Sequence, residues 1–260
     1  MMEGEDTMNR SWLRRMSLLG LAGLIALAGA LPARAQTAAD PEAEFNAGLM
    51  HLRENRPGLA LEAFKKAASK DPKNPYVQKG LGVAYLNLNK FAEAVAAFRK
   101  ALELNPYYAD VRNDLATALI LAGKREEGKK ELLTAFNDPT NPSPDLAARN
   151  LGQAYLEEKN FGEASNWFRS SLGRNKALVA SYSGLADSLV GLGRPEEAVP
   201  VLEGGLKEVP GSPELLLALG DVLYRTGRLS DARNKLEDAV RLDPGGPAGK
   251  RAAALLKQFR

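Results

Sequence analysis

Cysteine is absent from the chain and histidine occurs once, at His51. Without a thiol there is no disulfide framework, no thiolate metal site, no thiol nucleophile and no cysteine to carry a lipid. A lone imidazole makes no His pair for zinc and leaves one candidate base for a serine nucleophile. Charge of one sign is also scarce: 35 Lys and Arg against 32 Asp and Glu leave a net +3, where a nucleic-acid binder shows a basic stripe. The local exception is Lys250, Arg251, Lys257 and Arg260, which follow the last acid, Asp243. No GxGxxG opens a helix after a strand, and no motif sets two carboxylates against a pocket. The expectation is therefore no catalytic residue, no metal, no cofactor, no nucleic acid and no small-molecule substrate. What is present is ordinary globular material, 45% hydrophobic and 26% charged.

The longest apolar run belongs to an address rather than a fold. Arg10, Arg14 and Arg15 precede an apolar stretch from Met16 to Leu31, followed by Ala33, Arg34 and Ala35. Basic end, apolar core and two small residues are the order of a secretory signal peptide. Residues 1–35 are expected to be removed after Ala35, leaving a linker at 36–40 and a periplasmic chain that does not span the membrane. The alternative is an uncleaved anchor in the inner membrane, for which this run is short of the roughly 20 residues a spanning helix needs. Translation from Met1 or Met8, and general or twin-arginine export, stay open, although Ser17 stands where the twin-arginine motif prefers a large apolar residue.

From Pro41 onward the sequence repeats itself every 34 residues, over 41–74, 75–108, 109–142, 145–178, 179–212 and 213–246. Position 8 reads Gly48, Gly82, Ala116, Gly152, Ala186, Gly220, and position 20 reads Ala60, Ala94, Gly128, Ala164, Ala198, Ala232. Position 27 is small as well, while position 24 between them is large: Phe64, Phe98, Leu132, Phe168, Leu202, Leu236. Positions 4, 7, 8 and 11 share one face of a first helix, and 20, 24 and 27 share one face of a second. Small residues let two helix axes approach and the large one fills the remaining gap. Position 15 reads Asn55, Asn89, Gly123, Lys159, Gly193, Gly227, mostly residues that accept the left-handed conformation ending a helix. Pro72, Pro106, Pro210 and Pro244 at position 32 stop the second helix. The third and fourth units carry Thr140 and Lys176 there, and Asn137–Asp145, with two extra residues, is the expected break in regularity.

These units resemble tetratricopeptide repeats, most fully at 75–108 through Leu81, Gly82, Tyr85, Ala94, Phe98, Ala101 and Pro106. The resemblance implies an all-α, right-handed superhelical solenoid of about six helix-turn-helix repeats. Residues 247–260 are read as a capping helix, with Ala248, Ala252, Leu255, Leu256 and Phe259 on its covered face and an amphipathic membrane-surface helix as the rival reading. In this family the concave wall is formed by positions 2, 5, 6, 9, 12 and 13, where protein or peptide partners bind. Here that implies Asn46, Tyr76, Lys79, Asn113, Asp114, Arg149, Asn150, Gln153, Asp187, Asp221 and Tyr224, with Glu42, Phe45, Asp110 and Glu214 beside them. Arg149, Asn150 and Gln153, facing Asn113 and Asp114, are the expected grip on a partner's main chain. The clamp that some members use for a C-terminal carboxylate is not expected, because its positions hold residues such as Phe45, Leu49, Gly80, Asp110 and Asp114. His51 falls in the tyrosine column and is read as an interhelical packing residue with one hydrogen bond.

The function these features imply is an exported adaptor that holds a partner in its groove and supports assembly of an envelope complex. Type IV pilus assembly lipoproteins are similar in having about six such repeats in a chain of this size, although the cysteine they lipidate is missing here. The alternative is a periplasmic hydrolase or transferase that works with carboxylates alone.

Overall fold

The computed structural model describes residues 40–259, and the expected signal peptide, its cleavage point and the linker up to residue 39 lie outside them. The described chain is all-α, with thirteen helices and no strand. None of these helices is long and apolar enough to cross a membrane. Two compact units divide between Pro142 and Ser143.

The first unit holds α1 (Pro41–Arg53), α2 (Pro57–Lys70), α3 (Pro75–Asn87), α4 (Phe91–Leu104), α5 (Ala109–Leu121) and α6 (Arg125–Asn137). The second holds α7 (Pro144–Glu157), α8 (Phe161–Arg174), α9 (Val179–Gly191), α10 (Pro195–Glu208), α11 (Pro213–Arg225), α12 (Leu229–Leu242) and α13 (Pro247–Leu256). Within each unit every helix packs on the next, and the first helices of successive hairpins also touch, α1 on α3 and α3 on α5, then α7 on α9 and α9 on α11.

Each hairpin turn is closed the same way. The residue at position 15 has positive φ in all six hairpins, from +56° at Asn55 to +81° at Gly123. The next residue then donates its N–H back to the helix, as in Lys90 N to Tyr85 O at 2.9 Å and Arg194 N to Leu189 O at 2.9 Å. This closure satisfies carbonyls that the helix end leaves without a partner. The second helices end at a residue with extended φ, Asp71, Asn105, Val209 and Asp243, each directly before a proline that disfavours the helical conformation there. Helix α8 ends without one: Asn175 takes the same conformation, accepts a bond from Ala177 N at 3.0 Å and donates to Asp145 Oδ2 at 2.9 Å.

In each unit large position-24 side chains stand at the centre of the core. Phe64, Phe98 and Phe168 are all but fully buried, and a Cβ built on Gly48 lies 2.5 Å from the Phe64 ring. On the other side of Phe64 stands Gly80, whose built Cβ lies 2.6 Å from the ring, so this phenylalanine is held between two glycines of neighbouring hairpins. Phe168 is held the same way between Gly152 and Gly184. At the far end of the second unit α13 covers α12 and α11, burying Ala248 and Ala252 on Leu216, Leu217, Leu236 and Ala239. The Asp243 carboxylate fixes the start of α13 by accepting from Ala248 N and Gly249 N at 3.0 and 3.2 Å.

Candidate functional site

In the first unit, α3 and α5 put positions 2, 5 and 6 of successive hairpins together, because residues three and four apart share a helix face. Lys79 on α3 is 5% exposed. Its Nζ lies 3.9 Å from Oδ2 of both Asp110 and Asp114, and 5.1 Å from the centre of the Tyr108 ring. These separations exceed hydrogen-bond length, so the ammonium is held by charge and ring face rather than by directed bonds. Tyr76 packs edge-on against Tyr108, with centroids 5.5 Å apart. Burial pushes the Asp114 carboxyl above the usual carboxylate range; Lys79 opposes the shift and Asp110 adds to it. Burial raises the Tyr108 hydroxyl too, helped by Tyr76, Asp110 and Asp114. One cation faces two carboxylates, so the patch accepts positive charge. Tyr76, at its edge, is 47% exposed, and Tyr107, the neighbour of Tyr108 in the chain, is 80% exposed. Asn46 is exposed on α1 and Asn113 is half-buried on α5.

The second unit departs from expectation at α7. Arg149 and Asn150 are buried, and Gln153 is half-buried with its Nε2 donating to Glu157 Oε1 at 3.3 Å. These two wall positions are therefore packing as well as wall, and an alanine at either is expected to disturb the fold. Arg149 Nε has no hydrogen-bond partner. Burial pushes the guanidinium down to about 10, against the pull of Asp145. Asn113 and Asp114 belong to the first unit and the α7 residues to the second.

Asp187 on α9 is open to solvent, yet the surrounding protein and then Asp221 push its carboxyl up to about 6, with Arg225 and Arg251 opposing. Asp221 accepts from Arg225 Nε at 2.9 Å. Tyr224 packs on Phe259 at a ring separation of 5.0 Å, and the Arg233 guanidinium sits 5.4 Å from the same ring. Phe259, beyond the end of α13, thus packs on a wall residue as well as on the cluster of α11 and α12.

His51 is partly buried, and its Nδ1 makes no hydrogen bond, lying 3.8 Å from Glu54 Oε2. No cluster of His, Cys, Asp and Glu suited to a metal occurs among the described residues. Sequence reasoning missed Tyr107 and Tyr108, which fall outside the wall positions, although the paired tyrosine just before a first helix was an available signal; Phe259 was read on the covered face of the last helix, but not its contact with Tyr224.

Two sequence profiles described as tetratricopeptide repeat match the chain, one over residues 23–75, 45–109 and 183–247, the other over 89–148. No curated protein matches it. Among solved structures it is similar to PilW, a widely conserved type IV pilus biogenesis factor, at 20% identity and a TM-score of 0.69 over 82% of this chain and 98% of that one. Pseudomonas aeruginosa PilF aligns at 23% identity and a TM-score of 0.65 over 83% of this chain and 97% of that one. YrrB, a repeat protein with an unusual peptide-binding site, aligns at 17% identity and a TM-score of 0.51 over 76% of this chain and 99% of that one.

Proposed function

The chain belongs to the tetratricopeptide repeat family, and from that premise we propose that it is an exported adaptor whose first-helix face grips an extended segment of a protein partner. The observation that carries this reading is the patch on α3 and α5. The exposed Tyr76, packed on Tyr108 beside a buried lysine and its two carboxylates, offers aromatic area and a net negative bias at one place, the composition of a binding surface. Export is supported by the basic, apolar and small-residue order of residues 8–36. An envelope assembly, with the pilus machinery as the leading case, is supported by the near-complete alignment with PilW and PilF.

The test is capture from an envelope extract with residues 36–260, comparing wild type with a Tyr76→Ala/Tyr107→Ala double variant. Both positions are exposed, so the variant is expected to fold as wild type does and to lose its captured protein at least about tenfold. An identical set of proteins captured by both would move binding off this face. For export, the mass of the periplasmic protein is expected to be that of a chain starting at Gln36, and full-length protein confined to the membrane fraction would overturn it.

A further inference from the structure

The first hairpin breaks the repeat pattern at two places on its outer side, both toward apolar surface. Position 10 of a first helix is small and buried where another hairpin precedes it, as at Ala84 and Ala118. In α1 the same position is Met50, and it is 49% exposed. Position 19 is Glu or Asp in all five later hairpins, whereas the first carries Leu59, 52% exposed. That position looks toward the preceding hairpin, since Glu127 pairs with Arg99 of the hairpin before it. No hairpin precedes α1 among the described residues. The end of a stacked array is ordinarily made polar, because nothing packs on it. Here the two positions that would meet a preceding hairpin are instead a methionine in place of alanine and a leucine in place of an acid, and both are open.

We propose that the outer side of α1 and α2 is the interface of a homodimer, covered by the same side of a second copy. The chain has too little of its own to cover it: a mature start at Gln36 leaves residues 36–39 ahead of Asp40, a reach of at most about 14 Å with no large apolar side chain. Charge favours a copy of the same helix. Glu42 stands in the first turn of α1 and Arg53 in the last, and both are exposed. Two α1 helices laid antiparallel about a two-fold axis at Ala47 bring Glu42 of each beside Arg53 of the other. The same pairing sets each Met50 over the stripe of Ala43 and Ala47, whose small side chains let the helices approach closely. At the other end of the chain α13 already occupies the apolar face of α11 and α12, so copies meet through α1 alone and the pairing closes at two. The inference goes beyond the adaptor reading and takes from the export reading only the length of what precedes α1.

The test is sedimentation velocity on residues 36–260 from about 1 to 500 μM. One side of one hairpin is a small interface, so a monomer passing to a dimer with a Kd of about 1–100 μM is expected, with nothing larger. Met50→Lys/Leu59→Glu changes two exposed side chains and gives position 19 the acid of the later hairpins. It is expected to keep the circular dichroism of wild type and to stay monomeric throughout. Glu42→Lys and Arg53→Glu are each expected to weaken the dimer at least about tenfold, and the two together to restore it, because the exchanged charges still meet across the two-fold axis. A wild-type chain that stays monomeric overturns the proposal, as does Met50→Lys/Leu59→Glu dimerising like wild type. Growth past two copies, or a charge exchange that restores nothing, overturns the antiparallel two-fold pairing. If wild type is monomeric and captures an envelope protein that Met50→Lys/Leu59→Glu does not, this side serves a different partner and the homodimer falls. A dimer that captures no protein sinks the adaptor reading and leaves this one standing, and the export reading is decided apart from both by the mass of the periplasmic chain.

Discussion

Phe168 sits between Gly152 and Gly184, and neither side has room for a methyl group. Gly184→Ala is expected to cost about 1–3 kcal/mol by overpacking, measured by urea denaturation. Gly173→Ala on α8, where a Cβ meets nothing within 4 Å, is expected to stabilise by about 0.5–1 kcal/mol through helix propensity. Equal effects at the two sites would refute the clamp. Asp187 gives a pH test. Its carboxyl is raised in the folded state, to about 6, so the native protein binds more protons than the unfolded chain between the ordinary carboxylate range and 6. Its contribution is therefore neutral below that window and unfavourable above it. Asp187→Asn is expected to raise stability at pH 7.5, by less than about 1 kcal/mol because the group is exposed, and to leave it unchanged at pH 3.5, as read from thermal unfolding at the two pH values. The position-8 glycines were legible as close approaches, because they recur in a column. Gly80 and Gly184 were not, since position 6 is a wall position by resemblance and the ring each one underlies belongs to the preceding hairpin. The burial of Arg149 was hidden for the same reason: position in a repeat names a face, and burial depends on what the next repeat brings to it.

Turns and helix ends were the most legible elements, because each depends on one or two local residues. Position 15 carries a positive φ whether it is Gly, Asn or Lys, so the hairpin imposes the conformation and the residue only sets its cost. Lys159 is the least suited of the six, at φ +58°. Lys159→Gly is expected to stabilise the second unit by about 0.5–1 kcal/mol, the relief of the left-handed strain less the greater freedom glycine has when unfolded. A loss of stability on thermal unfolding would show that the lysine side chain contributes something the turn geometry does not. Helix α8 shows the limit of reading by motif. With Lys176 in the proline position its end was not marked by the repeat pattern, and Asn175 ends it through two side-chain hydrogen bonds, one of them to Asp145 thirty residues earlier in the chain. A local asparagine turn was visible in principle; its long-range partner was not.

At the scale of the molecule, each unit has its own core of phenylalanine or leucine between small residues. Residues 41–142 and 143–260, made separately, are each expected to be helical by circular dichroism and to unfold cooperatively, and a fragment without cooperative unfolding would show that its core is not self-sufficient. The two units were not legible as such; the sequence marked only an irregular loop at Asn137–Asp145, and the division falls within it. Helix α13 has a further bearing on assembly. Stacking units of this kind use the same apolar face to meet the next hairpin, whether that hairpin belongs to the same chain or to another, so an uncovered end is a template for open-ended growth. α13 lies on Leu216, Leu217 and Leu236 and is pinned by Asp243, so that apolar face is occupied within the chain, and we propose that this blocks such growth. Removing residues 247–260 is expected to turn a species of bounded mass into a concentration-dependent series of larger ones in light scattering, as filament-forming proteins behave when their terminator is lost.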